Sequence, residues 1–184
     1  MDAAIGCEHG LVVERRALAT AVADDARRLA GEDDLHVALH GTAAAIAREV
    51  AEVFDDTPAF AGDVAHLVHR VAATTGRADL RLRVQRIAGD ACRRWHADNV
   101  LLRLLCTYRG PGTQILPLPE AAPVLAGGEP MGTTMAWSAG TGDVVWMPGR
   151  RHPSAVPVVH RSPPLQGTGD VRVLVVIDAG TAAS

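Results

Sequence analysis

Four side chains in this sequence have the types and spacing to do chemistry together. His96 and Asp98 form a His-x-Asp pair, and His160 and Arg172 follow far downstream. Two imidazoles and one carboxylate are the donor set that holds Fe(II) on one face and leaves the opposite coordination positions open. In His-x-Asp the two side chains, at i and i+2, point to the same face of an extended segment, so both reach one ion if that segment borders a cavity. The third donor must then come from a neighbouring strand. His160 ends the apolar run Val156-Pro157-Val158-Val159, and Arg172 opens the run Val171 to Ile177. A turn between two such strands brings Arg172 beside His160, where its guanidinium can grip a carboxylate bidentately. A cationic clamp next to an open Fe(II) site suits a 2-oxoglutarate co-substrate. The expected metal ligands are therefore His96, Asp98 and His160, with Arg172 binding the co-substrate.

His152 competes for the third position, because Gly142-Asp143-Val144-Val145-Trp146 reads as a strand leading towards it. It lies in Pro148-Gly149-Arg150-Arg151-His152-Pro153, however, where two prolines and a glycine indicate a loop rather than a rigid strand end. His160 is the preferred ligand. The bland alternative is that His96 and Asp98 hydrogen-bond each other or cap a turn, and that His160-Arg161-Ser162-Pro163 is a polar turn.

The elements that must position these residues fall into two regimes. Residues 1–76 are Ala-rich with apolar residues at helical spacing: Leu11, Val12, Leu18, Val22, Ala26 and Leu29, then Val37, Ala44, Ile46, Val50 and Val53. Gly31-Glu32-Asp33-Asp34 breaks the first helix and caps a second, Asp55-Asp56-Thr57-Pro58 starts a third, and Thr75-Gly76 closes it. Over residues 77–184 the period changes. Leu80, Leu82, Val84 and Ile87 nearly alternate with charged residues, and Val100 to Tyr108 reads as a strand closed by the turn Gly110-Pro111-Gly112-Thr113. Met135 to Ser138, Val144 to Met147, Val156 to Val159 and Val171 to Ile177 are further short strands. Residues 114–134 carry no readable motif. The pattern predicts one α+β domain, a helical layer over residues 1–76 packed on an antiparallel barrel or jelly roll over residues 77–184.

Composition excludes several classes of function. The 184 residues can bury a core without covalent staples. Cys7, Cys92 and Cys106 have no CxxC spacing, which argues against a thiolate zinc site and for reduced thiols, with Cys106 a small buried side chain. The first ten residues lack a basic region followed by an apolar stretch, and no run of eighteen apolar residues occurs, so a cytoplasmic protein without membrane attachment is expected. A net charge of -3 and 3% aromatic residues leave no electrostatic footprint or stacking platform for nucleic acid. The expected partner is a small-molecule substrate, with a second copy of the chain as a further candidate through the Ala-rich helices.

Other residues have two readings each. Asn99 could contact a ligand or simply turn the chain before a strand. Arg103 interrupts an apolar strand, so it either faces an acidic partner on the helix side or lines the cavity as an anion site. Trp95 and Trp146 are pocket-wall or core residues. His36 and His40, at i and i+4 of the expected second helix, and His66 and His69 could bind zinc, but no Glu follows His36 as HExxH chemistry needs. No GxSxG surrounds Ser138, Ser154 or Ser162, which excludes the serine-hydrolase pattern.

The stretches CRRWHADNVLLRLLCTYRGPGTQ, GDVVWMPG and HRSPP followed by RVLVVID resemble the bacterial DUF1826 family over roughly residues 77 to 178. That resemblance favours His160 over His152. The chain departs from the family pattern at Gln114-Ile115, where Glu-Trp is expected, and so has no carboxylate there. The ligand pattern is in turn similar to the cupin-like double-stranded β-helix oxygenases that use Fe(II) and 2-oxoglutarate. This likeness implies that Tyr108 or Thr113 donates a second hydrogen bond to 2-oxoglutarate; the residues themselves make Asn99, Arg103 and Trp146 the candidates for the substrate pocket. The alternative within the same fold is a cupin-like protein holding zinc or another divalent metal, in metal handling or non-oxidative catalysis.

Overall fold

The computed structural model describes residues 10–180. Cys7 lies outside the described residues. The chain folds as β1 (Val12–Glu14), α1 (Thr20–Leu29), β2 (His36–Gly41), α2 (Ala43–Val53), α3 (Pro58–Thr75), β3 (Leu80–Ile87), β4 (Leu102–Arg109), β5 (Gln114–Leu116), α4 (Leu118–Leu125), β6 (Trp137–Ser138), β7 (Val144–Pro148), β8 (Val159–Arg161) and β9 (Arg172–Ala179). Six strands form one antiparallel sheet in the order β1-β7-β4-β9-β3-β2, and three form a second in the order β6-β5-β8. Among the described residues no helix is long and apolar enough to cross a membrane.

Strand alternation divides the core. Leu80, Leu82 and Val84 of β3, Leu104, Cys106 and Tyr108 of β4, and Val173, Val175 and Ile177 of β9 face the helices, meeting Phe60, Val64, Leu67 and Val71 of α3. The opposite face of the large sheet carries Leu105, Val145, Met147, Leu174 and Val176, which pack against Ile115 and Val158 on the side of the small sheet. The small sheet thus covers one face of the large one and the helices cover the other.

The α3 helix starts at Pro58, whose missing N–H costs nothing in the first turn, and ends on Gly76 at φ +64°. Its first amides are capped from another helix: Asp25 Oδ2 of α1 accepts from Ala59 N at 2.9 Å and Phe60 N at 3.1 Å.

The helical layer is not continuous, which corrects the expectation for residues 1–76. Leu11 and Val12 do not start a helix, because Val12–Glu14 is edge strand β1, paired with β7. Residues 36–41 form strand β2, paired with β3. Val37 and Leu39 pack against the helices while His36, Ala38 and His40 are exposed, a period of two that the neighbouring Ala-rich run disguised as helix. His36 and His40 therefore lie on a strand, and His40 Nε2 stands 2.6 Å from Asp79 Oδ1. The segment 114–134, without a motif in the sequence, contains β5 and α4. The strand expected from Val156 begins at Val159, past Pro157, which has no N–H for a ladder.

Candidate metal centre

The His-x-Asp segment follows β3 and reaches the small sheet through one backbone pair. His96 N donates to His160 O at 3.1 Å, and His160 N donates to His96 O at 2.9 Å. This exchange puts the two imidazoles side by side, with ring centroids 4.6 Å apart. Each ring has its Nδ1 against a backbone carbonyl, His96 on Arg94 O at 2.9 Å and His160 on Val158 O at 3.2 Å. A carbonyl only accepts, so the neutral rings carry their proton on Nδ1 and turn a bare Nε2 inward. That is the tautomer a metal-bound histidine needs.

Asp98 completes the cluster. One nitrogen from each histidine and one Asp98 oxygen lie within 4.8 Å of one another. Asp98 Oδ1 forms an ion pair with Arg103 Nη1 at 2.6 Å. Asp98 Oδ2 is buried and receives no hydrogen bond, although His160 Nε2 stands only 3.2 Å away. Two lone pairs that close with no proton between them repel, and a buried acceptor left bare costs about 1–3 kcal/mol. A cation placed among the three atoms removes both penalties, so the residues fit a divalent metal. Burial pushes the Asp98 carboxyl up, but in the metal-free cluster His160 when protonated, Arg103 and His96 outweigh it and hold the group at about 2. Burial, and then the neighbouring His160, keep His96 below the usual imidazole range. Both groups are therefore in their metal-binding forms at neutral pH. Access is from the His96 side: its side chain is 35% exposed, against 6% for His160.

The chain holds Asp98 from behind. Arg103 donates through Nε to Asp178 Oδ1 at 2.6 Å and through Nη2 to Asp178 Oδ2 at 2.8 Å. Arg103 is thus neither on the helix side nor a free anion site; it bridges two carboxylates on the face that carries the cluster. The backbone after β7 straps the same segment, with Arg150 N donating to Asp98 O at 2.7 Å. Gly149 comes so close that a Cβ there would meet Val100 O and lie 2.8 Å from Asp98 O.

Arg172 is 1% exposed and has no carboxylate partner among the described residues. Its guanidinium donates to Thr107 Oγ1 at 3.0 and 3.3 Å, Thr113 Oγ1 at 2.5 Å and Ser162 Oγ at 3.3 Å. Burial brings it down to about 10, still charged at neutral pH. Ser162 follows His160 by two residues on the same face, about 7 Å along an extended chain. In the register that pairs Ile115 with His160 and Gln114 with Arg161, Thr113 comes opposite Ser162. The buried cation therefore sits roughly two residue pairs along the ladder from His160.

Other candidates lie elsewhere. Tyr108 and Trp146 are on the helix-facing side of the large sheet, so neither lines the cluster. Tyr108 Oη donates to Asp63 Oδ2 at 2.5 Å, and Asp63 also takes a bidentate pair of bonds from Arg16. Trp146 Nε1 donates to Glu14 Oε1 at 2.9 Å, with Arg70 over its ring. Asn99 is exposed. His152 Nδ1 accepts from Ala155 N at 2.9 Å, closing its own turn. An apolar cavity of about 570 Å³, lined by Val13, Ile115, Trp137 and Val158, opens between the β1 and β6 edges and includes none of the three clustered side chains. Thr107, Ser162 and Asp178 were missed as polar partners. Thr107 had a signal, since Arg103 and Thr107 are polar residues on one face of an otherwise apolar strand.

A family model described as Protein of unknown function (DUF1826) matches residues 7–178. No curated protein matches the chain. Among solved structures, similarity extends to a full-length Neurospora crassa protein in complex with alpha-KG, at 16% identity and TM-score 0.37, over 56% of this chain and 34% of that one. The chain thus spans about a third of the length of that protein. A Pseudomonas putida prolyl-4-hydroxylase is similar at 12% identity and TM-score 0.39, over 88% of this chain and 95% of that one. The Fe(II)/(alpha)ketoglutarate-dependent dioxygenase TqaL is similar at 12% identity and TM-score 0.48, over 90% of this chain and 76% of that one.

Proposed function

The chain belongs to the DUF1826 family of proteins of unknown function, and on that premise we propose that it is a non-haem Fe(II)-dependent oxygenase that uses 2-oxoglutarate and acts on a small molecule. The two facing sheets are read as a double-stranded β-helix. The observation that carries the proposal is the bare, buried Asp98 Oδ2 facing an imidazole nitrogen that is also an acceptor. His96, Asp98 and His160 would hold the metal. Bound Fe(II) with a 2-oxo acid supplies oxygen activation, chemistry that belongs to the cofactor.

The chain's own residues bind and orient. Arg172 holds the far carboxylate of the co-substrate, since a buried guanidinium with only hydroxyl partners is matched by an anion of that charge. Thr113 and Thr107 fix the plane of that guanidinium, and Ser162 ties it to the strand carrying His160. Val158, Ile115, Leu174 and Val176 keep bulk water from the space between the sheets.

The test is anaerobic reconstitution with Fe(II). One metal per chain, a visible absorption band that needs both Fe(II) and 2-oxoglutarate, and slow conversion of 2-oxoglutarate to succinate on admitting oxygen support the proposal. Failure to bind metal, or no response to 2-oxoglutarate, overturns it. The same donors suit zinc, so metal bound tightly with no response to 2-oxoglutarate identifies a zinc or other divalent-metal protein instead.

A further inference from the structure

The large sheet extends past the metal cluster. Strands β3 and β2 lie beyond β9, and on the cluster's side they present Arg81, Arg83 and Gln85 opposite His40, Ala38 and His36. His36, Ala38 and His40 are exposed, so the small sheet does not cover this part of the face. The uncovered surface is a shelf with the small Ala38 side chain at its centre, directly across from Arg83.

Arg83 is the cation on this shelf without a saturated partner. Among the described residues its one polar side-chain contact is a long one, Nη2 to Asp178 Oδ2 at 3.4 Å, and its side chain is 37% exposed. Asp178 already receives two short bonds from Arg103, so it adds little to Arg83. Arg103 in turn touches Asp98. Arg83 therefore stands three carboxylate–guanidinium contacts from Asp98, on the same face of the large sheet as Arg103. The other charged groups facing the shelf are Arg81, Asp79, which is paired with His40, and the buried Asp178.

We propose that the β2–β3 shelf binds the substrate of the reaction and that Arg83 receives an acidic group of that substrate, a carboxylate or a phosphate monoester. This rests on the metal-centred function proposed above. Asp98 and Asp178 balance Arg103 and Arg83, so a bound divalent ion leaves this end of the sandwich positively charged, and an anion restores the balance. An acid seated on Arg83 leaves the rest of a small molecule on the face of the sheet from which Arg103 reaches Asp98.

The experiment follows the arginine Nε–H resonances of the full chain, loaded with Zn(II), by NMR. Acetate is titrated in one arm and methyl phosphate in the other. The Arg83 signal is identified by its loss in Arg83→Lys. The proposal expects the Arg83 signal to move with saturation in at least one arm, at an affinity at least five-fold tighter than for Arg27 or Arg93, exposed arginines elsewhere on the surface. The arm that saturates first tells carboxylate from phosphate. Protection of the protein against thermal unfolding by that anion should persist in Arg83→Lys and fall at least five-fold in apparent affinity in Arg83→Gln. No selective movement of the Arg83 signal, or equal protection of Arg83→Gln, overturns the proposal. Failure to bind Zn(II) instead strikes the metal-centred function, and the same titrations on the metal-free chain still decide whether the shelf binds anions.

Discussion

Arg103 reaches Asp98 with one nitrogen and Asp178 with the other two, so the carboxylate of the metal cluster is anchored to the last strand of the large sheet. Because Arg103 occupies Oδ1, only Oδ2 is free to bind an ion. Asp178→Asn, which touches no ligand atom, should weaken divalent-metal affinity about ten-fold, the usual cost of losing an outer hydrogen-bond partner. Competition titration with a chromophoric chelator measures this. An unchanged affinity would show that Asp98 needs no anchor.

Metal binding should appear as thermal stabilisation. Metal at about a hundred times its dissociation constant adds about 2.7 kcal/mol. For a domain of this size that raises Tm by about 5–10 °C. His160→Ala and Asp98→Asn should abolish the increment in differential scanning calorimetry. An equal increment in the variants would place the ion elsewhere.

Arg172→Met separates co-substrate from metal. The variant should keep metal affinity within about two-fold and lose 2-oxoglutarate affinity by a factor of about 100, which corresponds to a charge-assisted pair of about 2.7 kcal/mol. The metal-free variant should be at least as stable as the parent, because a buried cation with no counter-anion carries a desolvation cost that methionine removes. Calorimetric titration and thermal unfolding read the two effects.

The helix-facing network makes an independent pH prediction. Burial raises the Asp63 carboxyl, but the bonds from Arg16 and Tyr108 outweigh it and leave the group below its ordinary value. A carboxylate with a lower pKa folded than unfolded adds stability that is complete above about pH 4 and is lost as pH falls through the folded value. Stability should therefore decline below about pH 4, and less steeply in Asp63→Asn. Tyr108→Phe should cost about 1–2 kcal/mol, because it removes a buried hydrogen bond, and leave metal and 2-oxoglutarate binding unchanged. A loss of 2-oxoglutarate affinity in Tyr108→Phe would contradict its position on the far face.

The cluster was legible in sequence because His-x-Asp and two later strand-end residues are short-range signals of chain direction and period. Side-chain facing was less so. Tyr108 and Thr113 looked equivalent as hydroxyl donors near a turn, but alternation along β4 sends Tyr108 with Leu104 and Cys106 to the helices, and leaves Arg103 and Thr107 on the other face. Trp146 was misplaced for the same reason. In β2, two residues of alternation, Val37 and Leu39, were too few to outweigh an alanine-rich neighbourhood. Partners such as Asp25 capping α3, or Asp178 holding Arg103, depend on tertiary contact and leave no local trace.

Gly149 offers a direct check on the strap behind Asp98. In Gly149→Ala the added methyl must displace the backbone of residues 98–100, so metal affinity should drop at least ten-fold. Far-ultraviolet circular dichroism should stay close to that of the parent. Full metal binding in this variant would mean that the segment yields without disturbing Asp98.

The reciprocal backbone pair between His96 and His160 makes those two imidazoles one body with the small sheet, while Asp98 answers through Arg103 to the large one. An ion held by all three would act as a clasp across the mouth of the sandwich. Without it the two sheets stay tied by Arg172 to Thr113 and Ser162 and by packing, but the segment 96–98 loses its ionic link, so its amides should exchange with solvent many times faster than when the ion is bound.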